Sequence, residues 1–415
     1  MSKINKRKII NDPIYGFIAI PSDLIFDLIE HPFFQRLRRI KQLGLTNLVY
    51  PGALHTRFHH AIGAMHLMGE AIEVLRFKGV EISAEEEEAV LIAILLHDIG
   101  HGPFSHALEN SIVENIKHEE ISQLFLQDLN QLFEGRLSLA IKVFGNEYPK
   151  QFLYQLISGQ LDVDRLDYLK RDSFYTGVSE GVINSDRILK MINVVDNQIV
   201  IELKGIYSIE KFIVARRLMY WQVYLHKTVI SAENLLVKIL QRAKTLAQAG
   251  HSLFGTPSLL YFLQNNIAMA DFMGNRKVLG YFANLDDNDI MTSIKVWMDH
   301  PDIILSTLCT NLIHRKLYHV DLKNEPIDPL EMARLKHLYA QQLGIGIADT
   351  DYFIFTGSVE NDAYRTDSVN INILNKDGNI YDFTEISDQY NPSTFNKKII
   401  KHFFCYPKSL RTKVN

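Results

Sequence analysis

Hydrophobic residues run unbroken from position 90 to position 96 and lead directly into the His-Asp doublet at 97–98. Ser83, with Glu86 three residues later, has the pattern of a capping box, which begins a helix. Gly100 is a residue type that commonly ends one. The pattern therefore predicts a buried helix that delivers an imidazole and a carboxylate at its C-terminal end.

A different periodicity begins near position 352, where apolar and polar residues alternate. Residues 368–374 and 379–384 each fit a short strand, and the Asn-Lys-Asp-Gly sequence at 375–378 between them is typical of a tight turn. This part of the chain is predicted to contain a β-hairpin.

Most of the first 245 residues have helical periodicity, including a basic helix predicted over residues 33–43. The predicted fold is therefore mainly α, with a helical core and a smaller α+β lobe at the C-terminal end. We place two domains at 1–250 and 251–415, with the boundary near Gly250.

Composition adds limits to this picture. With 415 residues, 47% of them hydrophobic, the chain can bury a large core. A net charge of −4 does not indicate a nucleic-acid partner. Two cysteines far apart, Cys309 and Cys405, fit a reducing compartment. Apolar stretches near the doublet fall short of the ~20 residues of a membrane span, and no signal-peptide core follows the first ten residues. We expect a cytoplasmic protein without a membrane partner.

Histidines are concentrated around the doublet. Three lie among the ten residues from 97 to 106, against 16 in all 415 positions, and His118 follows closely. A buried histidine is more often a hydrogen-bonded core residue than a metal ligand. Clustered imidazoles beside a carboxylate are nevertheless the ligand types that divalent transition metals prefer. The cluster favours a metal-dependent hydrolase.

A second group of polar residues has helical spacing. Asp164, Tyr168 and Asp172 follow one another at intervals of four, which places them on one stripe of a helix. The alternative is a solvated helix with ion pairs such as Asp167 with Arg171. An acid-aromatic-acid stripe is not explained by such pairs, and it favours a binding site.

A third group lies on a helix predicted to begin near Ser208. Arg216, Tyr220, Tyr224 and Lys227 share one stripe of that helix. Aromatic residues at helical spacing are usually core residues. Two cations on the same stripe would be costly in a core unless paired, but they suit an anionic ligand such as a phosphate.

Three segments together resemble the HD-domain phosphohydrolases: residues 51–63, 97–106 and 161–172. The resemblance is to the branch of the deoxyguanosine triphosphate triphosphohydrolases and the sterile-alpha-motif/HD dNTP triphosphohydrolases, and it extends from residue 11 to about 227. It implies an HD-domain helical core and one divalent metal ion per site (Mn, Fe, Zn or Mg), with additional Mg possible on the substrate.

The resemblance also implies a role for individual residues. The implied metal ligands are His60, His97, Asp98 and Asp164, and only the match to the motif selects His60 over His59. The candidates for proton transfer and phosphate contact are His101, His106, Glu109 and His118. The implied substrate-binding residues are Gln42, Leu43, Arg57, Arg165, Tyr168, Asp172, Arg216, Tyr220, Tyr224 and Lys227.

Within that set, the arginines and Lys227 would hold a triphosphate. Tyr168 would crowd the 2′ position of the sugar, and Asp172 would accept the 3′-hydroxyl. Some positions depart from the mammalian pattern: Glu109 replaces an Asp, Arg165 a Lys, and Tyr220 a His. The departures near the nucleotide weaken any prediction of base preference.

The predicted function is that of a metal-dependent dNTP triphosphohydrolase of the dGTPase class, which cleaves at the α-phosphorus to give deoxynucleoside and triphosphate. The alternatives are an HD phosphohydrolase acting on another nucleotide or on a phosphomonoester, and a nucleotide-sensing protein with a vestigial metal site.

Regulation is a further expectation. Glu30, Gln35 and Arg38 align with activator-contacting positions of the mammalian relative, so a homo-oligomer (dimer or tetramer) with a nucleotide activator is predicted. A solvated or subunit-contact face explains the same three residues without regulation.

Overall fold

A computed structural model describes residues 8–104, 106–109, 111, 113, 116–361, 370–388 and 399–413, except the side chains of residues 106, 107, 412 and 413. The helices are α1 (Asp23–Glu30), α2 (Pro32–Gln35), α3 (Arg57–Phe77), α4 (Ala84–Leu96), α5 (His106–Glu109), α6 (His118–Leu132), α7 (Ser138–Phe144), α8 (Gln151–Ile157), α9 (Val163–Thr176), α10 (Ser185–Met191), α11 (Ile206–Met219), α12 (Lys227–Gln248), α13 (Pro257–Gln264), α14 (Met269–Gly274), α15 (Arg276–Ala283), α16 (Asp287–Trp297), α17 (Ile303–Ile313), α18 (Pro329–Leu343) and α19 (Phe383–Ile386).

The strands are β1 (Ile9–Asp12), β2 (Gly16–Ala19), β3 (Ile192–Val195), β4 (Gln198–Glu202), β5 (His319–Lys323), β6 (Phe355–Asn361), β7 (Asn372–Leu374), β8 (Ile380–Asp382) and β9 (Ile399–Tyr406). They form three small sheets with the orders β1-β2, β3-β4-β7-β8 and β5-β9-β6. The prediction of a mainly α fold is confirmed. None of the described helices is long and apolar enough to cross a bilayer.

The predicted hairpin is present as β7 and β8, which pair antiparallel with Ile373 opposite Tyr381. Ser368 and Val369 lie outside the described residues. Strand β7 also pairs in parallel with β4, so one sheet combines strands from both sides of position 250. The division into two domains at that position stays a proposal.

Helix α4 begins as its sequence predicts. The Ser83 hydroxyl accepts a hydrogen bond from the Glu86 amide at 3.2 Å, and the Glu86 carboxylate accepts one from the Ser83 amide at 2.8 Å. From Ala89 onward every residue of the helix is buried. The helix ends at Leu96, with His97 as its C-cap, so the doublet lies at the end of the buried part of the helix.

The helix predicted over residues 33–43 is wrong in its second half. Helix α2 ends at Gln35, a 3-10 turn follows over Arg36–Arg39, and the chain then becomes extended. The reason is a backbone pairing with the start of α3, in which the Arg57 amide donates to the Ile40 carbonyl at 2.9 Å. Those backbone groups are therefore not free to continue a helix.

The continuous helix predicted from Ser208 through Lys227 is also wrong. Helix α11 ends at Met219, a π-helical turn spans Tyr220–Tyr224, and α12 starts anew at Lys227. The His226 ring accepts a hydrogen bond from the Thr228 amide and caps the new helix. The stripe of aromatic and basic residues is thus broken before its last member.

Helices α3, α4 and α9 pack together at the centre of the molecule, where α3 carries a glycine at a close contact. A Cβ at Gly63 would overlap the Arg171 guanidinium and the Asp167 carboxylate of α9, both fully buried. Only glycine leaves room for this ion pair against the helix.

We expect Gly63→Ala to lower the free energy of unfolding by about 3 kcal/mol, since the methyl group must displace a buried ion pair. Gly69→Ala on the same helix is the matched control, because its nearest neighbour, Leu91 Cδ2, lies 4.0 Å from the added carbon. That variant should gain roughly 0.5 to 1 kcal/mol. Urea unfolding followed by circular dichroism measures both, and equal stability of the two variants would contradict the assigned contact.

Candidate active site

Three helices bring four donor residues to one point. His60 comes from α3, His97 and Asp98 follow α4, and Asp164 lies in the first turn of α9. His60 Nε2 lies 3.0 Å from Asp164 Oδ1 and 3.3 Å from His97 Nε2, and His97 Nε2 lies 3.4 Å from Asp164 Oδ1. Asp98 Oδ1 is 3.3 Å from His97 Nε2.

These separations fit a shared metal ion. Bonds of about 2.0 to 2.2 Å to nitrogen and oxygen place neighbouring ligand atoms roughly 3.0 to 3.4 Å apart around a tetrahedral or octahedral centre. Asp98 Oδ2, at 3.9 Å from His60 Nε2, lies just outside that range. His60, His97 and Asp164 thus form one group that could hold a divalent ion, while Asp98 groups with His101 and His118, so its place as a fourth ligand stays a prediction.

The outer nitrogens of both imidazoles are also occupied. His60 Nδ1 lies 2.7 Å from Asp167 Oδ2, and His97 Nδ1 lies 2.6 Å from the Ile94 carbonyl. Each ring therefore donates its Nδ1 proton outward and directs Nε2 to the cluster, which is the usual arrangement of histidine ligands. His59, by contrast, accepts a hydrogen bond from the Thr56 amide at the start of α3. The structure thus brings His60, and not His59, to the cluster.

Burial governs the electrostatics of the cluster. Burial alone would lower the pKa of His60, but hydrogen bonds to Asp164 and Asp167 outweigh it and raise the pKa to about 10. Burial would raise the pKa of Asp98, yet His97, His101 and Arg57 hold it well below its usual value. The neighbouring histidines and Arg57 thus favour the ionised form of these carboxylates, which is the form that binds a cation.

The predicted proton-transfer residues form a second group beside the first. His101 Nε2 lies 3.2 Å from Asp98 Oδ1, and the His101 ring stacks on His118 with centroids 3.7 Å apart. His118 Nδ1 lies 3.2 Å from Glu109 Oε1. Burial and the nearby charge of Arg57 lower the pKa of His101 well below its ordinary value. The side chain of His106 lies outside the described residues.

The acid-aromatic stripe of α9 ends in a buried carboxylate. Asp172 Oδ1 lies 2.7 Å from His55 Nε2, and Asp172 Oδ2 accepts a hydrogen bond from the Tyr224 hydroxyl at 2.7 Å. The Tyr224 ring contacts those of Tyr168 and Tyr220, with centroids 6.3 and 5.1 Å away. The structure therefore gathers four of the predicted substrate-binding residues, Tyr168, Asp172, Tyr220 and Tyr224, in one cluster.

Sequence reasoning gave no role to His55. Its ring is buried and stacks on Tyr175 with centroids 4.5 Å apart, and its backbone carbonyl accepts from the Gln42 amide at 3.0 Å. It lies within the matched segment 51–63, but no spacing links it to Asp172. Leu43, next to Gln42, packs against the core.

Two sequence profiles match the chain: the HD domain over residues 57–172 and the HD associated region over residues 183–252. The crystal structure of a phosphohydrolase from Bacteroides thetaiotaomicron is 54% identical, with a TM-score of 0.94, and the match covers 96% of this chain and 99% of that one. The uncharacterised protein YwfO of Bacillus subtilis is 34% identical over 98% of this chain and 94% of its own length. The chain belongs to the HD-domain phosphohydrolases.

Relatives with a named activity match a smaller part of this HD phosphohydrolase. The deoxynucleoside triphosphate triphosphohydrolase SAMHD1 homolog of Dictyostelium discoideum is 35% identical over 58% of this chain and 50% of its own length. The zebrafish (Danio rerio) deoxynucleoside triphosphate triphosphohydrolase SAMHD1 is 30% identical over 57% and 45%. The chain thus spans about half the length of these relatives. The predicted family is confirmed, while the roles of single residues stay predictions.

The predicted phosphate-binding cations lie in different surroundings. Arg57 donates to Asp98 at 2.5 Å, and Arg165 forms an ion pair with Asp162. The Arg216 guanidinium lies 5.9 Å from the Tyr220 ring centroid. The Nε atoms of all three arginines are buried without a hydrogen-bond partner in the described part of the chain. Lys227 is exposed at the first position of α12.

The residues predicted to bind an activator lie around α2. Gln35 accepts a hydrogen bond from Arg38 Nε at 2.8 Å, and the Arg38 guanidinium lies 3.5 Å from the centroid of the Phe58 ring. Glu30 is exposed at the end of α1. Their regulatory role stays a prediction.

We expect the double variant His97→Ala with Asp98→Ala to lose the metal ion, because it removes two of the four donor residues. Elemental analysis of protein purified in the presence of Mn measures metal per chain. His66→Ala is the control, since His66 lies on the same helix as His60 but pairs with Glu70 at 3.5 Å. Equal metal content in the wild type and the double variant would rule out this site.

Proposed function

We propose that this HD phosphohydrolase is a metal-dependent dNTP triphosphohydrolase that releases deoxynucleoside and intact triphosphate. The observation that carries the proposal is the spacing along α9. Asp164 in the histidine-aspartate cluster and Asp172 beside the three tyrosines lie on one stripe, about 12 Å apart along the helix axis. One nucleotide can therefore place its α-phosphate at the cluster and its sugar at Asp172.

The names of the relatives support the same substrate class. Those with a stated activity are deoxynucleoside triphosphate triphosphohydrolases, and they match 58% and 57% of this chain. In this proposal Tyr168 excludes a 2′-hydroxyl, and Asp172, held by His55 and Tyr224, accepts the 3′-hydroxyl.

A divalent ion held by His60, His97, Asp98 and Asp164 would supply Lewis-acid polarisation of a phosphate oxygen. Glu109 orients the His118 ring through its contact with Nδ1, which leaves Nε2 to transfer a proton at the reaction centre. Arg57, Arg165 and Arg216 bind the triphosphate oxygens by charge-assisted hydrogen bonds. An activating nucleotide at Glu30, Gln35 and Arg38, and a homo-oligomeric state, remain parts of the proposal.

A second candidate is hydrolysis of another nucleotide or a phosphomonoester at the same cluster. The observation that favours it is the ion pair between Arg165 and Asp162, because Asp162 already neutralises the charge of a cation proposed to bind the triphosphate. The two candidates differ in the phosphate product.

We expect incubation with a dNTP and Mn or Mg to release inorganic triphosphate in step with deoxynucleoside, because the cations surround the whole triphosphate. Anion chromatography of the products measures this for each dNTP, with the corresponding NTP as the control for sugar selection. Monophosphate with pyrophosphate, or diphosphate with phosphate, would show that attack occurs at a different phosphorus.

We expect His118→Ala to lower kcat by about 10² to 10⁴, the usual contribution of a positioned proton-transfer group, and to keep its metal. Glu120→Gln is the control, since that carboxylate lies on the first turn of the same helix and accepts a hydrogen bond from the Lys117 amide at 2.9 Å. Single-turnover kinetics and elemental analysis on the same samples test this. Loss of metal, or turnover near that of the wild type, would remove His118 from the proposed role.

A further inference from the structure

The backbone that follows the His97-Asp98 doublet is held by a residue outside the segment 57–172 that the HD domain profile matches. Arg36 is fully buried, and its guanidinium donates to the Ile99 carbonyl at 2.7 Å and to the His101 carbonyl at 2.9 Å. It also donates to the Leu285 carbonyl at 3.3 Å. The sequence predicted Arg36 within a basic helix over residues 33–43. In the structure it joins the segment that carries His101 to the loop before α16.

Asp287 makes the next connection. Its Oδ1 accepts a hydrogen bond from the Phe104 amide at 3.2 Å, and its Oδ2 accepts one from the Lys41 amide at 3.0 Å. These partners are 183 and 246 residues away in sequence. Phe104 has φ +50°, a backbone conformation that non-glycine residues seldom adopt without support. The carboxylate therefore holds a strained residue three positions after His101.

The carboxylate of Asp287 is not needed to start its own helix. Asp286 caps α16 by accepting from the Asn288 amide at 2.8 Å, and Asp289 completes the capping box by accepting from the Asp286 amide at 2.7 Å. Asp287 is buried, with an exposed fraction of 5%. Burying a charge is costly unless it is well hydrogen-bonded. Here each of its two oxygens accepts a hydrogen bond from a loop that is distant in sequence.

We propose that Asp287 is a positioning residue, which fixes the segment carrying His101 against the segment carrying Gln42. The inference rests on the proposed function, with His101 as a candidate for proton transfer or phosphate contact and Gln42 as a candidate substrate-binding residue. It gives the C-terminal part of the chain a role in catalysis without contact with the substrate. The His101 ring stacks on that of His118 with centroids 3.7 Å apart, so the position of this segment also affects the packing of His118.

The test compares Asp287→Ala with Asp289→Ala. The first leaves the Phe104 and Lys41 amides without their acceptor, and the second removes a capping contact of the same helix. We expect Asp287→Ala to lose about 10- to 100-fold in kcat, as small misplacements of catalytic groups do. Its metal content should equal that of the wild type, because Asp287 touches none of the four donor residues. Asp289→Ala should keep kcat within about threefold and show a comparable fall in thermal midpoint.

A kcat of Asp287→Ala within threefold of the wild type would overturn the inference. An equal loss of kcat in Asp289→Ala would also overturn it, because the effect would then come from the disturbed helix α16. If the alanine variant does not fold, Asp287→Asn gives the same comparison, because the Asn side chain keeps one acceptor oxygen for the two backbone amides of Lys41 and Phe104. The assay uses whichever phosphate ester the wild type hydrolyses. Failure of the wild type on every dNTP therefore counts against the proposed function, and an unchanged variant counts against the positioning role.

Discussion

The active site depends on a buried ion pair between Asp167 and Arg171 on α9. Both side chains are fully enclosed, and Arg171 also donates to Asp12 of β1 at 2.8 Å. Two charges are stable in a core only when their hydrogen bonds are met, and removal of one partner is strongly destabilising. Asp167 meets part of its own requirement through His60 Nδ1 at 2.7 Å. The hydrogen bonds that stabilise this buried ion pair therefore also fix the ring orientation and tautomer of His60, a proposed metal ligand.

Local signals were sufficient for the elements that depend on neighbours in sequence. The capping box of Ser83 and Glu86, the apolar run of α4 and the hairpin of β7 and β8 were predicted because residues within a few positions determine each of them. The cluster of donor residues was predicted for another reason. Its motifs resemble a known family, and the resemblance selected His60 where spacing alone left His59 open.

Long-range contacts account for what the sequence did not predict. Arg36 lies in a run of basic residues whose sequence would be the same on a solvated helix. Its burial follows from long-range contacts, such as its hydrogen bond to a carbonyl 63 positions away. His55 and Asp172 are 117 residues apart, and Asp287 and Lys41 are 246 apart. No periodicity connects such pairs. The π-helical turn at Tyr220–Tyr224 was missed because its aromatic residues also fit an ordinary helix.

The sequence offered two interpretations of α9, a binding stripe or a set of ion pairs. The ion pair of Asp167 with Arg171 is present, and it lies beside the proposed ligand Asp164. Asp164 and Asp167 are three residues apart, so their side chains are neighbours on the helix surface, separated by about 5 to 6 Å at Cβ. One imidazole can lie between two such carboxylates. His60 does so, with Nε2 at 3.0 Å from Asp164 and Nδ1 at 2.7 Å from Asp167. The helical period alone thus places two groups on one turn: Asp164, a proposed ligand, and Asp167, which orients the neighbouring proposed ligand His60. Any change that unwinds the first turns of α9 would disturb the cluster and the core together.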